Sequence, residues 1–232
     1  MSKLLKHFIT VTKHRNAVMV HCFKAGIPFQ GLAHDLSKYS FTEFFGGVRY
    51  FQGNRSPHEA EREDKGYSEG WMHHKGRNRH HFEYWTDYNP ETKLMSPVKM
   101  PVKYVKEMFC DRVAACKIYM KKNYHNKAAL DYFMRGKQRR VINPETSDLI
   151  ESLLTMLSEK GEKETFKYIR NLKEYYKNPR HLSGIFYMFR KDHTLCQAKR
   201  KRLPVFQGNT TTLYECTARS ADKERQTRFF VL

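Results

Sequence analysis

The chain has 232 residues, of which 40% are hydrophobic, and this content excludes a protein that is disordered throughout. No apolar run approaches the roughly 20 residues needed to cross a bilayer, and no signal-like apolar segment follows the basic N-terminus, so we expect a cytoplasmic protein. Lysine and arginine outnumber aspartate and glutamate by 43 to 24, and the resulting net charge of +19 favours phosphate-bearing partners.

The five cysteines form no CxxC pair, and their odd number and wide spacing argue against a disulfide framework. They are Cys22, Cys110, Cys116, Cys196 and Cys216. We expect reduced thiols that mostly fill the core.

Helical spacing dominates the first two thirds of the chain. In the first predicted helix, His14, Val18 and His21 fall on one face, and His7 lies upstream on the same face. Gly26-Ile27-Pro28 is expected to end this helix. Histidines therefore share an apolar stripe.

The second predicted helix begins near Phe29 and carries the adjacent pair His34 and Asp35. Ser40-Phe41-Thr42-Glu43 matches a capping box that opens a third helix, from about residue 41 to 51. The polar, charged stretch 53–65 is typical of a surface loop.

A further helix is predicted from the spacing of Tyr67, Trp71 and His74, which directs His74 inward and turns His73 about 100° away. The string RHHFEYW is expected to resume this helix, with His81 four residues before Trp85. Residues 87–101 contain three prolines and are predicted to form a connecting loop.

The next predicted helix spans about residues 102–121 and carries Asp111 on an otherwise apolar stripe. Asn143-Pro144-Glu145 then starts a helix that runs through Leu157 and ends near Gly161. The expected fold class is mainly α, a helical bundle.

The character of the chain changes after about residue 158, and we interpret residues 158–232 as a basic C-terminal module. A helix over 163–177 is followed by GIFYMFRK, the basic run AKRKR, TTLYECTA and RFFVL, whose aromatic and β-branched residues favour a small β-hairpin.

Six inward-facing polar residues from five separate segments could meet at one point. They are His14, His34, Asp35, His74, His81 and Asp111. A single histidine on an apolar helix face is more often a core residue, but so many within about 100 residues favour a divalent-metal site in a bundle core. Structural zinc is disfavoured because it usually employs cysteine.

This ordered pattern resembles the HD superfamily of metal-dependent phosphohydrolases. In that superfamily an upstream histidine, a His-Asp doublet and an aspartate in a later helix bind the metal. The string HDLSK is similar to the HDxGK variant, with Lys38 matching its lysine and Ser37 replacing its glycine.

Three longer strings resemble an uncharacterised bacterial and phage family of HD-like proteins over about residues 5–157. They are GIPFQGLAHDLSKYSFTEF, GYSEGWMHHKGRNRHHFEYW and MPVKYVKEMFCDRVAA. This resemblance implies an all-helical fold, an HD-like metal-binding domain over residues 1–157, and no particular substrate.

The resemblance implies that His34, Asp35 and Asp111 are metal ligands, with His14 as the first histidine and His21 as the alternative. For the double-histidine block, the aromatic neighbours favour His74 and His81 as ligands. The remaining pair, His73 and His80, would then lie behind the ligands or contact substrate. Extra histidines also occur in the binuclear cyclic-dinucleotide phosphodiesterases, whose Gly-Tyr-Pro signature this sequence lacks.

The expected function is hydrolysis of a nucleotide or another phosphoester by water activated at one or two divalent ions (Mn, Fe, Zn, Mg, Ni or Co). Asp35 and Lys38 are the expected catalytic residues, and Lys38, His73, Arg77 and His80 are expected to bind substrate. The alternative is a nucleic-acid-binding accessory protein of phage or bacterial origin, with a structural or degenerate metal site. The sequence predicts no membrane partner and leaves the oligomeric state open.

Overall fold

The computed structural model describes residues 1–173, which form eight α-helices and one two-stranded antiparallel hairpin. The helices are α1 (Lys3–Lys24), α2 (Pro28–Ala33), α3 (Phe41–Tyr50), α4 (Pro57–Lys65), α5 (Glu69–Arg77), α6 (Val102–Met120), α7 (Ala128–Gly136) and α8 (Pro144–Asn171), and the hairpin pairs β1 (Thr86–Tyr88) with β2 (Met95–Pro97). The predicted mainly α fold class is confirmed. The expected C-terminal hairpin and the AKRKR run lie outside the described residues.

Helix α6 runs through the centre of the core. Every residue from Val105 to Ala115 is buried, and the helix packs against α1, α7 and α8. Phe109 of α6 contributes to this core with Phe133 of α7 and Leu153 of α8, and burying each such side chain contributes about 1.5–3 kcal/mol. Asp111 therefore lies within a stretch of eleven consecutive buried residues.

Helix α2 lies directly against α1 because Gly31 has no side chain. A Cβ at Gly31 would be 2.7 Å from Cys22 Cβ and 3.2 Å from Met19 Cα. Gly26, with a φ of +77°, makes the turn between the two helices. The close approach places the residues that follow α2 beside α1.

The His34-Asp35 doublet lies after α2, not inside a helix as the apolar spacing predicted. Helix α2 ends at Ala33, and Asp35 has a φ of +53° in the left-handed region, after which Leu36–Tyr39 form a short 3-10 turn. A residue in the left-handed region cannot continue a right-handed helix, and aspartate tolerates this conformation better than most residues.

The prediction of a surface loop over 53–65 was wrong for most of that stretch. Ser56 precedes α4, and Pro57 occupies its first turn, where a missing N–H has no cost. Ala60 and Glu61 face inward from this polar helix. Part of the loop predicted over 87–101 is likewise ordered, since it supplies strand β2 and the turn of the hairpin.

The helix predicted for RHHFEYW is also absent, because α5 ends at Arg77 and only Phe82–Tyr84 form a short 3-10 turn. Asn78 leaves the helical conformation and caps α5: its backbone N–H makes the last helical bond, to the carbonyl of His74 at 3.1 Å, and its side-chain amide donates to the same carbonyl at 2.8 Å. His80 and His81 therefore lie on irregular backbone.

Helix α8 is interrupted at Gly161, which has a φ of +75°, near where the first half was predicted to end. The second half continues to Asn171, and its Phe166 and Ile169 belong to the same core cluster as α6. The boundary expected between residues 157 and 158 thus falls inside a helix that packs on this core.

In the described part of the chain, Cys22 and Cys110 are buried free thiols, as expected, and Cys116 is a partly buried one. None of the helices within residues 1–173 combines the length and the apolar character that a bilayer-crossing segment needs.

Candidate metal centre

Seven side chains from five regions of the fold converge at one buried point. Helix α1 supplies His14, the turn after α2 supplies His34 and Asp35, α5 supplies His74, the irregular segment after α5 supplies His80 and His81, and α6 supplies Asp111. All are buried except His81, which is partly buried.

These residues form two overlapping groups, each of which could hold a divalent ion. The first group is His14, His34, Asp35 and Asp111, and the second is Asp35, His74, His80 and His81. Within each group one ligand atom per residue lies within 4.8 Å of all the others. Ligands at about 2.1 Å from a common ion lie up to about 4.2 Å apart, so only small movements would close either group around an ion.

Asp35 belongs to both groups, and each of its oxygens faces one of them. Its Oδ2 is 3.3 Å from His34 Nε2 and 3.9 Å from His14 Nε2. Its Oδ1 is 3.3 Å from His74 Nε2 and 3.5 Å from His80 Nε2. Asp35 could therefore contribute one oxygen to each group.

The ligand atoms are buried without hydrogen bonds. The Nε2 atoms of His14, His34, His74, His80 and His81, with both oxygens of Asp35, have no hydrogen-bond partner within the described residues. The 2.9 Å contact of His14 Nε2 with Asp111 Oδ1 does not have hydrogen-bond geometry. Lys38 pairs with Asp35 Oδ2, which leaves six such atoms without a partner. An unsatisfied buried polar group costs about 1–3 kcal/mol, and a cation at this point would supply the missing partner.

Glu107 holds two of the imidazoles from behind. Its Oε1 is 3.0 Å from His34 Nδ1 and 3.2 Å from His80 Nδ1. A carboxylate that accepts the Nδ1–H of a histidine fixes the ring and leaves Nε2 unprotonated for a metal. Sequence reasoning missed Glu107, although it lies one helical turn before Asp111 on α6.

Glu43 does the same from the opposite side of the site. Its Oε2 is 2.7 Å from His74 Nδ1, and its Oε1 is 2.6 Å from His73 Nδ1. The sequence pattern identified Glu43 as the end of a capping box. The cap bond from the Glu43 N–H to Ser40 Oγ is present at 3.4 Å, but the carboxylate is used in the site.

The charges of the cluster balance one another without an ion. Burial alone would raise the pKa of Asp35, but His34, Lys38 and His74 lower it well below its usual range. Burial alone would lower the pKa of His34, but Asp35 and Glu107 raise it to about 10. Lys38 completes the balance with its Nζ 2.7 Å from Asp35 Oδ2. A bound cation would replace positive charge that protons and Lys38 otherwise supply.

His14 and His81 are in a different electrostatic state from His34. Burial lowers the pKa of His14, against the opposing effect of Asp111, and burial also lowers the pKa of His81 well below its usual range. Both imidazoles are therefore neutral at pH 7, which is the form that ligates a metal.

The six residues predicted as ligands all lie in the cluster, and His80, predicted to contact substrate, lies there too. The prediction separated His80 from His81 by helical geometry, which does not apply because that segment is not helical. His21, the alternative first histidine, lies elsewhere: its Nδ1 is 3.2 Å from the Cys110 carbonyl oxygen and its Nε2 is 3.3 Å from Lys117 Nζ.

Two residues predicted to bind substrate lie outside the ligand groups. His73 contacts Glu43 and so supports the site from behind. Arg77 is exposed, and its guanidinium donates to the carbonyl of His73 in the same helix. Within the described residues, a cleft leads to the cluster, and neither His73 nor Arg77 lines it.

The cleft that leads to the cluster is partly open to solvent. His14, His74, His81 and Asp111 form its metal-facing end. The rest of the wall includes Lys38, Phe51, His58, Trp71 and Tyr119. His58 was not identified from the sequence, because its stretch was interpreted as a loop.

No curated protein and no solved structure is significantly similar to the chain. A family model matches residues 3–156, which include every residue of the cluster and of the cleft wall described above. Because that match covers more than half of the sequence, the chain belongs to the family of unknown function DUF5662.

Proposed function

We propose that this protein is a metal-dependent phosphohydrolase of the HD type that holds two divalent ions in two groups sharing Asp35. The observation that carries the proposal is the convergence of five Nε2 atoms that lack hydrogen bonds on the buried carboxylate of Asp35, whose Oδ2 also pairs with Lys38. The order of His14, the His34-Asp35 doublet and Asp111 along the chain supports the HD assignment.

The donor set indicates which ions fit. Imidazole nitrogen suits Mn, Fe, Co, Ni and Zn, whereas Mg prefers oxygen ligands and retains several waters. Two carboxylates and five imidazoles therefore favour a transition metal over Mg. When bound, such ions would act as Lewis acids that lower the pKa of water and polarise a phosphoryl oxygen.

The cleft supplies the remaining parts of the site. Lys38 lies on its wall beside Asp35, where its ammonium group can bind a phosphate oxygen and offset the charge that develops in the reaction. Glu43 and Glu107 keep the imidazoles oriented. The partly enclosed wall limits water around the reacting phosphate.

Metal analysis and a phosphate-release assay test the proposal together. We expect about two equivalents of transition metal per chain, and hydrolysis of at least one phosphoester that is lost with a chelator and restored by Mn²⁺. Asp35→Asn keeps the shape and the left-handed preference of the residue but removes the shared charge, and we expect it to lose both metal and activity. The matched control is Asp131→Asn on α7, where Asp131 pairs with Lys127.

A wild-type protein that binds no metal after equilibration with Mn²⁺, Fe²⁺ or Zn²⁺ would contradict the proposal. So would an Asp35→Asn variant with full metal content and full activity.

The net charge of +19 favours a second candidate, a nucleic-acid-binding accessory protein whose metal site is structural. Gel-shift titrations at 50 and 200 mM salt separate the two functions. Binding that weakens steeply with salt, in a protein that releases no phosphate, would support this candidate, and absence of salt-sensitive binding would exclude it.

A further inference from the structure

A hydrogen-bonded relay lies beside the metal groups and shares no residue with them. Ser68 Oγ donates to Glu61 Oε2 at 2.6 Å, and His58 Nδ1 is 3.1 Å from Ser68 Oγ. Because the single hydroxyl hydrogen goes to the carboxylate, Ser68 Oγ accepts from His58 Nδ1–H. The other ring nitrogen of His58, Nε2, is therefore an acceptor.

The packing of α5 fixes which edge of the His58 ring faces the cleft. A Cβ at Gly70 would be 3.0 Å from His58 Cε1 and 3.1 Å from its Nδ1, so this edge is packed against α5. His58 also lines the cleft, and its Nε2 makes no hydrogen bond within residues 1–173. The edge that carries Nε2 is the one left for a ligand.

The surroundings of His58 define the part of a ligand that it would meet. Its ring centroid is 6.3 Å from that of His74, which belongs to the second group, so His58 lies next to that group. The indole of Trp71 is 5.8 Å from the ring of His58 and equally far from that of His74, and it also lines the cleft. An organic group attached to a phosphate at the metal end would lie against Trp71 and within reach of His58.

We propose that His58 Nε2 accepts a hydrogen bond from a hydroxyl group of the substrate. The substrate is then a phosphoester whose organic group carries a hydroxyl, as in a sugar phosphate. The inference rests on the proposed phosphohydrolase function. An acceptor held in an enclosed cleft is left unpaired by a substrate without a donor, and sites of this kind reject such analogues strongly. The Ser68-Glu61 relay fixes the tautomer, so the site selects donors over carbonyl or ether oxygens.

Matched substrate pairs test the proposal kinetically. We would measure kcat/KM of the metal-loaded protein for sugar phosphates and for their singly deoxygenated analogues. For at least one hydroxyl position, the wild type is expected to prefer the hydroxylated ester by about tenfold to a hundredfold. His58→Phe is expected to reduce this ratio to about one, whereas His58→Gln, whose amide can place an acceptor near the position of Nε2, is expected to keep part of it.

A binding titration gives a readout that does not depend on turnover. The chain has two tryptophans, so in a Trp85→Phe background the indole fluorescence reports on Trp71 alone. Hydroxylated and deoxygenated sugar phosphonates would be titrated into this protein with His58 intact or replaced by Phe. His125→Phe, which changes an exposed histidine of the described chain, is the matched control, and metal content is measured for every variant.

The outcomes separate the two proposals. Equal kcat/KM and equal affinity for every pair, or a preference that survives in His58→Phe, would overturn the role of His58 while leaving the phosphohydrolase intact. A metal-loaded wild type that hydrolyses no ester would overturn the proposed function. The phosphonate titration would still decide whether His58 accepts a hydrogen bond from a ligand hydroxyl. Absence of both hydrolysis and binding would overturn both.

Discussion

Two buried glutamates control the orientation of the imidazoles in the metal groups. Glu107 contacts Nδ1 of His34 and His80, and Glu43 contacts Nδ1 of His74. Burial alone would raise the pKa of Glu107, but the hydrogen bonds from the two imidazoles lower it to about 2, so it is a carboxylate at any pH of interest. Each glutamate would therefore act on a bound ion through a histidine.

Replacing Glu107 with glutamine is expected to weaken metal binding without removing a ligand. The amide oxygen can still accept from one Nδ1–H, but the negative charge that makes the imidazoles better donors is lost. Changes of this kind typically cost about 10- to 100-fold in metal affinity. Competition with a fluorescent chelator measures the affinity. The control is Glu151→Gln on α8, which removes an ion pair with Lys137 and should leave metal affinity at the wild-type value. Equal metal affinities for the Glu107→Gln and Glu151→Gln variants would contradict the supporting role of Glu107.

His21, which the sequence offered as a ligand, instead makes the fold sensitive to acid. Burial lowers its pKa to about 4, against the hydrogen bond to the Cys110 carbonyl. The charged groups around it are Lys24, Lys117 and Glu162. Between about pH 6.5 and pH 4 the unfolded chain binds a proton at this imidazole and the folded chain does not, so stability falls as the pH falls through this window.

The contribution of His21 can be isolated by comparison with His21→Gln, which does not titrate. Between pH 7.5 and pH 5 the wild type should lose about 2 kcal/mol more of its unfolding free energy than the variant does. Urea unfolding at the two pH values measures this difference, and equal losses for the two proteins would show that His21 does not carry it.

At the scale of elements, the contact between α1 and α2 positions three of the four residues of the first group. His14 lies on α1, and the His34-Asp35 doublet follows α2 directly. The two helices approach closely at Gly31, where an added Cβ would be 2.7 Å from Cys22 Cβ. A change in this contact would therefore be transmitted to the distance between His14 and the doublet.

Gly31→Ala is expected to move α2 away from α1. Overpacking of a close contact typically costs about 1–3 kcal/mol of stability, and we expect metal affinity to fall as well because the doublet shifts. Gly46→Ala in α3 is the matched control, since nothing lies within 4 Å of a Cβ there and alanine favours a helix. Thermal unfolding and a metal titration of both variants test this, and an unimpaired Gly31→Ala protein would contradict the role given to the contact.

The long helices could be predicted from sequence because apolar periodicity is strong where a helix packs over many turns. Helix α6 was expected at 102–121 and spans Val102–Met120, with Asp111 buried. Helix α4 was missed because its residues are mostly polar, so its pattern resembles that of a loop. Helix α7 was missed as well.

The candidate site was predictable in its ligand types but not in its supporting groups. The six expected ligands meet because each lies on, or beside, an element whose place follows from core packing. The choice between His80 and His81 was based on a helix that is absent, because α5 ends beside Asn78, whose side-chain amide donates to the carbonyl of His74. Glu43, Glu107 and His58 act through contacts across more than one element, which a single sequence does not record.

At the scale of the whole molecule, metal binding and folding should be coupled. The ligands span the chain from His14 to Asp111, and they meet only when α1, α5 and α6 are packed together. An unfolded chain cannot present both groups at once, so an ion that binds them favours the folded state. In the metal-free fold, the repulsion among buried carboxylates is relieved only by protonated imidazoles and Lys38.

Thermal stability should therefore depend on the ion. At a free metal concentration about 100 times the dissociation constant, one site adds about 2.7 kcal/mol, which corresponds to a rise in Tm of about 5–10 °C for a chain of this size. Differential scanning calorimetry with Mn²⁺, and then with excess chelator, measures the shift and its reversal. Asp35→Asn removes the carboxylate common to both groups and should abolish the shift, whereas Asp131→Asn should retain it. Two results would contradict this coupling: a Tm that neither the ion nor the chelator changes, or a metal-induced rise in Tm that persists in Asp35→Asn. Either would mean that the buried histidines and aspartates balance their charges among themselves and do not bind a cation.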